Sequence, residues 1–200
     1  MPPSDIINMA SQKVSIEAQL NKCLPIVSHH GWILKHVPTH LKTLDVCLGA
    51  VLKDGWMLQH VPDELKTREI CLTAVKNNGW ALKFVPDDVK NPEIYMGAVS
   101  NDGYALEFIS EELKTPEICL AAVSQDGCSL QFIPDVLKTP DICLTAVSQD
   151  GLAIQYVPTD LLQTPAVCLA AVLQDALAMQ YIPDELKTPY MSLTAVSQDG

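Results

Sequence analysis

The chain has 200 residues, of which 48% are apolar, and a formal net charge of −11. This apolar content argues against a disordered chain, and the scarcity of basic residues argues against nucleic-acid binding, which needs clustered Lys and Arg. An acidic surface instead favours a basic protein partner.

Residues 1–30 are predicted to form an amino-terminal helical cap. Cys23 keeps the register of the repeats that follow, but Lys13, Glu17 and Lys22 make this segment more polar, as the end of a stacked array requires. The segment lacks the basic start and continuous apolar run of a secretory signal, and no stretch of eighteen apolar residues occurs. We therefore expect a cytoplasmic location and no membrane span.

A block of about 24 residues recurs through residues 31–200, most plainly where the sequence Ser-Gln-Asp-Gly returns at 124–127, 148–151 and 197–200. A period this short over about seven units predicts an all-α solenoid, a superhelix of two-helix repeats in which each repeat contacts only its neighbours. A single repeat buries too little apolar surface to fold alone, so its stability must come from stacking.

Residues 115–138 show how one repeat is expected to fold. Thr115 is a natural N-cap and Pro116 suits the first helical position, so the long helix of the repeat, helix A, begins here. Gly127 is predicted to end helix A in a left-handed conformation, and a shorter helix B follows until Pro134. The same register predicts helices A at 45–53, 69–77, 93–101, 117–125, 141–149, 166–174 and 190–198, with no β-sheet.

Two departures from the repeat carry predictions of their own. One extra residue at Leu161–Leu162 falls in a turn, where an insertion costs least. Ala176 stands where the other repeats have glycine, so helix A is expected to run on toward helix B there.

The carboxyl terminus stops at Gly200, directly after a helix A and without its helix B. We expect a fragment, truncated after the last helix A. Its apolar end, including Met191, Leu193 and Val196, is expected to promote self-association.

Six of the seven cysteines occupy one repeat position, in helix A: Cys23, Cys47, Cys71, Cys119, Cys143 and Cys168. Neighbouring helices pack about 8 to 10 Å apart, which is too far for a disulfide. We therefore expect these thiols to be buried and reduced. Cys128 lies outside the register and is expected to be the most reactive.

The candidate partner-binding residues are aromatic and imidazole side chains of helix B. Trp32, Trp56, Trp80 and Tyr104 follow the glycine of the first four repeats, and His36 and His60 stand four residues after the first two. One interpretation is that these side chains pack within the stack. The other is an aromatic binding strip, because Trp and Tyr are favoured anchors at interfaces.

A lysine recurs in the turn after helix B, beside acidic pairs such as Asp63 and Glu64. Solvated turns of alternating charge explain this pattern, and an acidic groove that steers a basic partner is the alternative. All five histidines precede residue 61 without the spacing of a metal site. No motif of nucleophilic or phosphate chemistry occurs, so we predict no metal, cofactor or catalytic residue.

Three strings recur at fixed spacing: AVSQDG (residues 122–127), LQFIP (130–134) and LKTP (137–140). Over residues 30–200 they resemble the short helical repeat named domain of unknown function 4116. The resemblance implies a repeat module attached to other domains, common in large proteins of intracellular bacteria, including secreted effectors, and without an established activity. A weaker resemblance is to leucine-rich variant repeats, whose iron–sulfur cysteine cluster this chain lacks.

The sequence therefore favours a non-enzymatic protein-binding scaffold, the repeat region of a bacterial effector secreted into a host cell. Two alternatives stay open. One is an architectural spacer or self-associating array, and the other is an accessory domain of an enzyme whose catalytic part lies beyond residue 200.

Overall fold

The computed structural model describes the backbone of residues 3–198 and the side chains of residues 16–197. All regular structure in residues 3–198 is helical and none of it is β-strand, which confirms the predicted all-α repeat solenoid. The chain divides into two compact units, unit 1 (residues 1–94) and unit 2 (residues 95–200). The division falls inside the fourth α-helix.

The α-helices of the described residues are α1 Pro3–His29, α2 Leu44–Lys53, α3 Arg68–Asn77, α4 Pro92–Asn101, α5 Pro116–Gln125, α6 Pro140–Gln149, α7 Thr159–Leu162, α8 Pro165–Gln174 and α9 Pro189–Gln198. Seven of them are the predicted helices A, namely α2 to α6, α8 and α9. Each ends at the predicted residue and begins one residue earlier than predicted.

The predicted N-caps explain where helices A begin. The side-chain oxygen of Thr115 accepts a hydrogen bond from the backbone N–H of Ile118 at 3.4 Å, and Thr43, Thr67 and Thr139 make the equivalent bond. Each bond satisfies one of the amide donors that a helix leaves without an intrahelical partner at its start.

Helix B lies where it was predicted but is a 3₁₀ helix. Its copies are Gly31–His36, Gly55–His60, Gly79–Phe84, Gly103–Phe108, Gly127–Phe132, Gly151–Tyr156 and Ala176–Tyr181. Gly127, Leu130 and Ile133, which share one face of a 3₁₀ helix, are buried, and so is Ser129. Each copy is longer than most 3₁₀ helices, which rarely exceed about four residues.

The turn after helix B contains a second, three-residue 3₁₀ segment in most repeats: Thr39–Leu41, Asp63–Leu65, Glu111–Leu113, Asp135–Leu137 and Asp184–Leu186. The inserted residue converts this turn into the short α-helix α7, and Leu162 is buried there. The fold thus absorbs the insertion inside the turn, as predicted.

The predicted left-handed glycine at the end of helix A is wrong, because none of the described residues has a positive φ. The glycine is needed for close approach instead. A Cβ added to Gly127 would lie 2.3 Å from the carbonyl oxygen of Ala146 in the next repeat, and one added to Gly55 would lie 2.3 Å from that of Ala74. A side chain at Gly55 or Gly127 would therefore push the neighbouring repeats apart.

The prediction that helix A runs on at Ala176 is also wrong. Helix α8 ends at Gln174, and Asp175 is extended, with φ −148°. The Asp175 carboxylate accepts a hydrogen bond from the backbone N–H of Leu177 at 2.8 Å. Since the aspartate and not the glycine starts the 3₁₀ helix, the local fold survives the exchange.

Each unit is built from two layers, a row of helices A and a row of 3₁₀ helices. In unit 1, α1 packs on α2 and α2 packs on α3; in unit 2, α5, α6, α8 and α9 pack in that order. Each internal helix A of unit 2 buries the same set of side chains, which in α5 is Ile118, Cys119, Ala122 and Val123. The core therefore lies between the layers and between successive repeats.

Candidate interaction surfaces

The turn lysines have a role that the sequence analysis missed. Lys42 Nζ donates a hydrogen bond to the backbone carbonyl of His60 at 2.7 Å, and Lys114 and Lys138 donate to those of Phe132 and Tyr156 at 2.6 and 2.9 Å. Each acceptor lies in the next repeat, at the end of a 3₁₀ helix where carbonyls lack helical partners.

The interpretation of the lysine ladder as freely solvated is therefore wrong for these residues. The side chain of Lys138 is only 10% exposed. The ladder fastens one repeat to the next, so these lysines are not available to a partner.

A row of polar side chains at the ends of helices A also joins successive repeats. Asp54 Oδ1 accepts from the backbone N–H of Trp56 at 3.0 Å and so starts the 3₁₀ helix. The N–H of Gly55 donates to Asn77 Oδ1 at 2.7 Å, and the N–H of Gly103 donates to Asp126 Oδ2 at 3.1 Å. The hydrogen bonds from these glycines hold successive repeats together.

Trp32 and Trp80 of the candidate binding strip are exposed in unit 1. Trp32 is 54% exposed and Trp80 is 37% exposed. The edge of the Trp32 ring meets exposed His36, with ring centroids 6.2 Å apart, and Lys35 Nζ lies 5.7 Å from the Trp32 ring centroid. Exposed indole rings beside a cation form a surface suited to contact with another molecule.

Trp56 and His60 are more deeply placed in the same unit. Trp56 is half-buried and packs edge-on against Phe84, with centroids 4.9 Å apart. His60 is half-buried too, and burial, followed by the charges of Lys42 and Lys35 and by His36, lowers its pKa below the ordinary value of 6.5. These two residues serve packing more than contact.

Tyr104, the last predicted strip residue, belongs to unit 2. It is half-buried and meets the ring of Phe132, with centroids 5.8 Å apart. Burial, with the nearby Cys128 and acidic groups, raises its pKa. The two aromatic pairs, Trp56–Phe84 and Tyr104–Phe132, show how the residue after the glycine packs on the next repeat.

A groove of about 750 Å³ lies in unit 1, between one turn and the 3₁₀ helix of the next repeat. Phe84, Val85 and Pro86 line it together with Glu64 and Lys83. The groove adjoins the aromatic pair through Phe84, so an apolar segment bound at the strip could continue into it.

Five of the six register cysteines are buried as predicted, and Cys23 is half-buried. All seven thiols are free. The prediction that Cys128 reacts fastest stays untested, but its surroundings weaken it. The Cys128 thiol donates to Asp150 Oδ2 at 3.0 Å, and burial, followed by this carboxylate, raises its pKa to about 12, which disfavours the thiolate that reacts.

A polar groove of about 300 Å³ in unit 2 is lined by Asp126, Asp150 and Asp175 together with Cys128 and Tyr104. No three His, Cys, Asp or Glu side chains among the described residues are grouped so that they could hold a metal ion. The carboxylates instead supply a row of negative charge.

The repeated two-layer architecture defines a tandem helical-repeat protein. Six overlapping segments match the family model described as Domain of unknown function (DUF4116), at residues 23–66, 43–90, 67–114, 91–138, 115–163 and 139–187. The chain belongs to this family.

Five of the six matches begin at the N-cap of a helix A, as at Thr115, and each spans about two repeats. The family unit is therefore a stacked pair. Comparison with curated proteins and with solved structures gave no match. Within residues 3–198, no helix has the length and apolar character needed to cross a membrane.

Proposed function

We propose that this chain is a non-enzymatic protein-binding scaffold whose contact surface in unit 1 is the exposed aromatic strip centred on Trp32. The observation that carries the proposal is the 54% exposure of Trp32 beside exposed His36. Burying a large aromatic side chain is strongly favourable, so an exposed indole gains free energy when a partner covers it. The proposal extends to a repeat region of a secreted effector, which rests on the family resemblance alone.

The tryptophans of the strip differ in how much surface they offer to a partner. Trp56 is half-buried against Phe84, so replacing it would reduce stability as well as binding. Trp32 and Trp80 present more surface and are the better anchors. Lys35 beside Trp32 adds a positive charge, which suits an aromatic or acidic side chain of the partner.

A capture experiment with a matched control tests this proposal. Trp32→Ala removes the exposed ring, and Leu177→Ala removes a side chain at the same repeat position in unit 2, where Leu177 is also exposed. We expect immobilised Trp32→Ala to capture at least about tenfold less partner protein than the unmodified chain does, because anchor residues carry most of the binding energy of an interface. Leu177→Ala should keep it, and both should melt within about 4 °C of the unmodified chain.

Undiminished capture by Trp32→Ala would contradict the proposal that the aromatic strip binds the partner. Equal losses in both variants would point to general hydrophobic adhesion instead. Quantitative mass spectrometry of the captured proteins distinguishes these results.

Self-association is the second candidate function, and the face of α9 favours it. Val196 is 73% exposed, whereas Val123, Val147 and Val172, which hold the same repeat position, are fully buried by the next repeat. A second copy could cover this face. Sedimentation velocity over a range of concentrations should show reversible association that Val196→Ser abolishes, and a monomer at every concentration would contradict it.

A further inference from the structure

The outer face of the helix row in unit 2 combines apolar side chains with a complete lack of basic ones. Helices α5, α6 and α8 contain no Lys or Arg. Each nevertheless exposes a leucine on its outer side, namely Leu120, Leu144 and Leu173. Single exposed leucines are common, but these three, the leucine stripe, lie on successive packed helices, with Leu173 one turn further along its helix than the other two.

A groove accompanies this stripe. It encloses about 430 Å³ between α5 and α6 and is lined by Leu144 and by the short side chains of Ser124, Thr145 and Ser148, with Gln149. The short side chains leave space above the helices. Leu144, which is 37% exposed, forms the apolar wall.

Negative charge borders the stripe at both ends of the helices. Glu117 and Asp141 occupy the first turns of α5 and α6, and Asp126, Asp150 and Asp175 follow the last turns. The hydrogen bond of Thr115 and the backbone amides of the helix start lower the pKa of Glu117, so it is ionised at neutral pH. A ligand on this face meets leucines in the middle and carboxylates on both sides.

The corresponding helices of unit 1 lack this arrangement. Leu48 and Leu72 hold the repeat position of Leu120 but are only partly exposed, whereas Leu52, at the repeat position of Leu173, is exposed. Helices α2 and α3 also carry Lys53, Arg68 and Lys76. The acidic apolar stripe is therefore a property of unit 2 and does not follow from the repeat itself.

We propose that this face of unit 2, the leucine stripe Leu120–Leu144–Leu173, binds a basic amphipathic helix of a partner protein. The apolar side of that helix covers the leucines, and its Lys or Arg residues pair with the bordering carboxylates. This is the helix-in-groove mode of recognition, with partner choice and on-rate set by complementary charge.

The spacing of the stripe matches that of a helical ligand. Packed helices lie about 8 to 10 Å apart, and a helix advances about 10.5 Å over seven residues at 1.5 Å per residue. A ligand helix that crosses the row therefore presents one leucine in every seven residues to each successive helix of unit 2. Leu173 lies one turn further along its helix than Leu144 does, so the ligand crosses the row diagonally.

Fluorescence anisotropy with a designed probe tests this inference. The probe is a labelled peptide of about 21 residues that contains only Leu and Lys and carries its leucines on one helical face. The control peptide has Glu in place of Lys. We expect the Leu/Lys peptide to bind the full chain saturably, at least about tenfold more tightly than the Leu/Glu peptide, and to weaken as salt rises from about 0.05 to 0.5 M.

Variants place the binding on the stripe. Leu144→Ser should weaken binding at least about tenfold, whereas Val136→Ser should change it less than about twofold, since Val136 is 89% exposed but lies in a turn away from the helix face. Asp141→Lys should weaken binding similarly, and Glu112→Lys, in the turn before α5, should not. Circular dichroism checks that each variant is folded.

Equal affinity for both peptides, no effect of Leu144→Ser and Asp141→Lys in folded protein, or equal loss in the turn variants would overturn the inference. If Leu144→Ser unfolds, the comparison of Asp141→Lys with Glu112→Lys decides whether the stripe binds the peptide. Trp32→Ala should leave this binding unchanged, so failure here and failure of the aromatic strip are distinguishable.

Discussion

The two units share one repeat but differ in charge. Unit 1 contains ten basic and ten acidic residues, all five histidines and all three tryptophans. Unit 2 contains three basic and fourteen acidic residues and accounts for the whole net charge of −11. The valines at one core position, such as Val51 in unit 1 and Val123 in unit 2, are nevertheless equally buried.

This contrast shows that the repeat determines the interior and leaves the exterior free. Buried positions must fit the next repeat, whereas exposed ones need only remain compatible with water. The tryptophans also make the contrast measurable. Their fluorescence reports unit 1 alone, and far-UV circular dichroism reports the helices of both units.

The largest expected effect comes from filling the close approach between repeats. Gly55→Ala in unit 1 and Gly127→Ala in unit 2 each place a Cβ 2.3 Å from a backbone carbonyl oxygen, and overpacking of this kind costs about 1 to 3 kcal/mol. In urea unfolding, Gly55→Ala should lower the midpoint urea concentration of the transition that fluorescence detects. Gly127→Ala should lower the midpoint detected by circular dichroism more than the midpoint detected by fluorescence.

Gly49→Ala is the control for these variants, because its Cβ comes nearest to the Ser28 hydroxyl, a side-chain atom, and meets no backbone carbonyl oxygen. This exchange inside α2 should stabilise by about 0.5 to 1 kcal/mol, as Ala for Gly does in a helix. Equal shifts of both probes in Gly127→Ala would show that the two units unfold together.

The next effect concerns the lysine ladder. Lys114→Met removes the hydrogen bond to the carbonyl of Phe132 and leaves that acceptor without its charged donor, which should cost about 1.5 kcal/mol or more. Lys187→Met removes only an exposed pair with Asp184 and should have no measurable effect. Chemical denaturation followed by circular dichroism compares the two variants. Similar losses in the free energy of unfolding would show that the lysine ladder does not stabilise the contact between repeats.

A stabilising change is expected in unit 2. Ser129 is fully buried, and its hydroxyl has no hydrogen-bond partner, whereas Ala105 and Ala153 hold the same repeat position. Ser129→Ala should raise the free energy of unfolding by about 1 kcal/mol, because it removes a buried polar group that is left unsatisfied. Ser124→Ala, on the surface, is the control, and a destabilised Ser129→Ala would show that the hydroxyl is bonded.

The smallest effect is a pH dependence confined to unit 1. The folded state lowers the pKa of His60, so the unfolded chain binds the proton more readily. Stability is therefore lost as pH falls through about 6.5 toward the folded pKa. His60→Phe, which copies Phe84 at the same repeat position, should flatten the fluorescence-detected melting temperature between about pH 7.5 and 5.

His30→Gln is the control for this titration, because His30 is exposed and is not among the charges that act on His60. It should keep the pH dependence of the unmodified chain. An unaltered profile in His60→Phe would show that another group is responsible.

The sequence predicted whatever depends on neighbouring residues. Thr115 and Pro116 locate the start of a helix without reference to other repeats, so the helix bounds were predicted to within one residue. Six residues of helix B fit either helical form, and the choice of the 3₁₀ form comes from packing. Gly127 is needed because the carbonyl oxygen of Ala146, in the next repeat, lies too close for a side chain. An argument from the local backbone conformation alone does not predict this contact.

The surface was less predictable than the fold. Exposure separates Trp32 from Trp56 because Phe84 covers the latter, and the sequence places both at one repeat position. The lysine ladder did carry a signal: a charged residue that recurs in strict register, from Lys42 to Lys138, is constrained by something other than water. The sequence did not show the hydrogen-bond acceptor of each lysine, which is a backbone carbonyl 18 residues further along the chain.

The short separation in sequence between residues that join two repeats affects how the chain folds. The hydrogen bonds between repeats join residues 18 to 25 positions apart, from Lys42 to His60 and from Gln174 to Gln149, and no repeat waits for a distant part of the chain. Chains dominated by such local contacts fold faster than chains whose contacts are distant in sequence. A nascent chain could therefore add one repeat at a time as it is synthesised, and a pulling force would release the repeats in the same small steps.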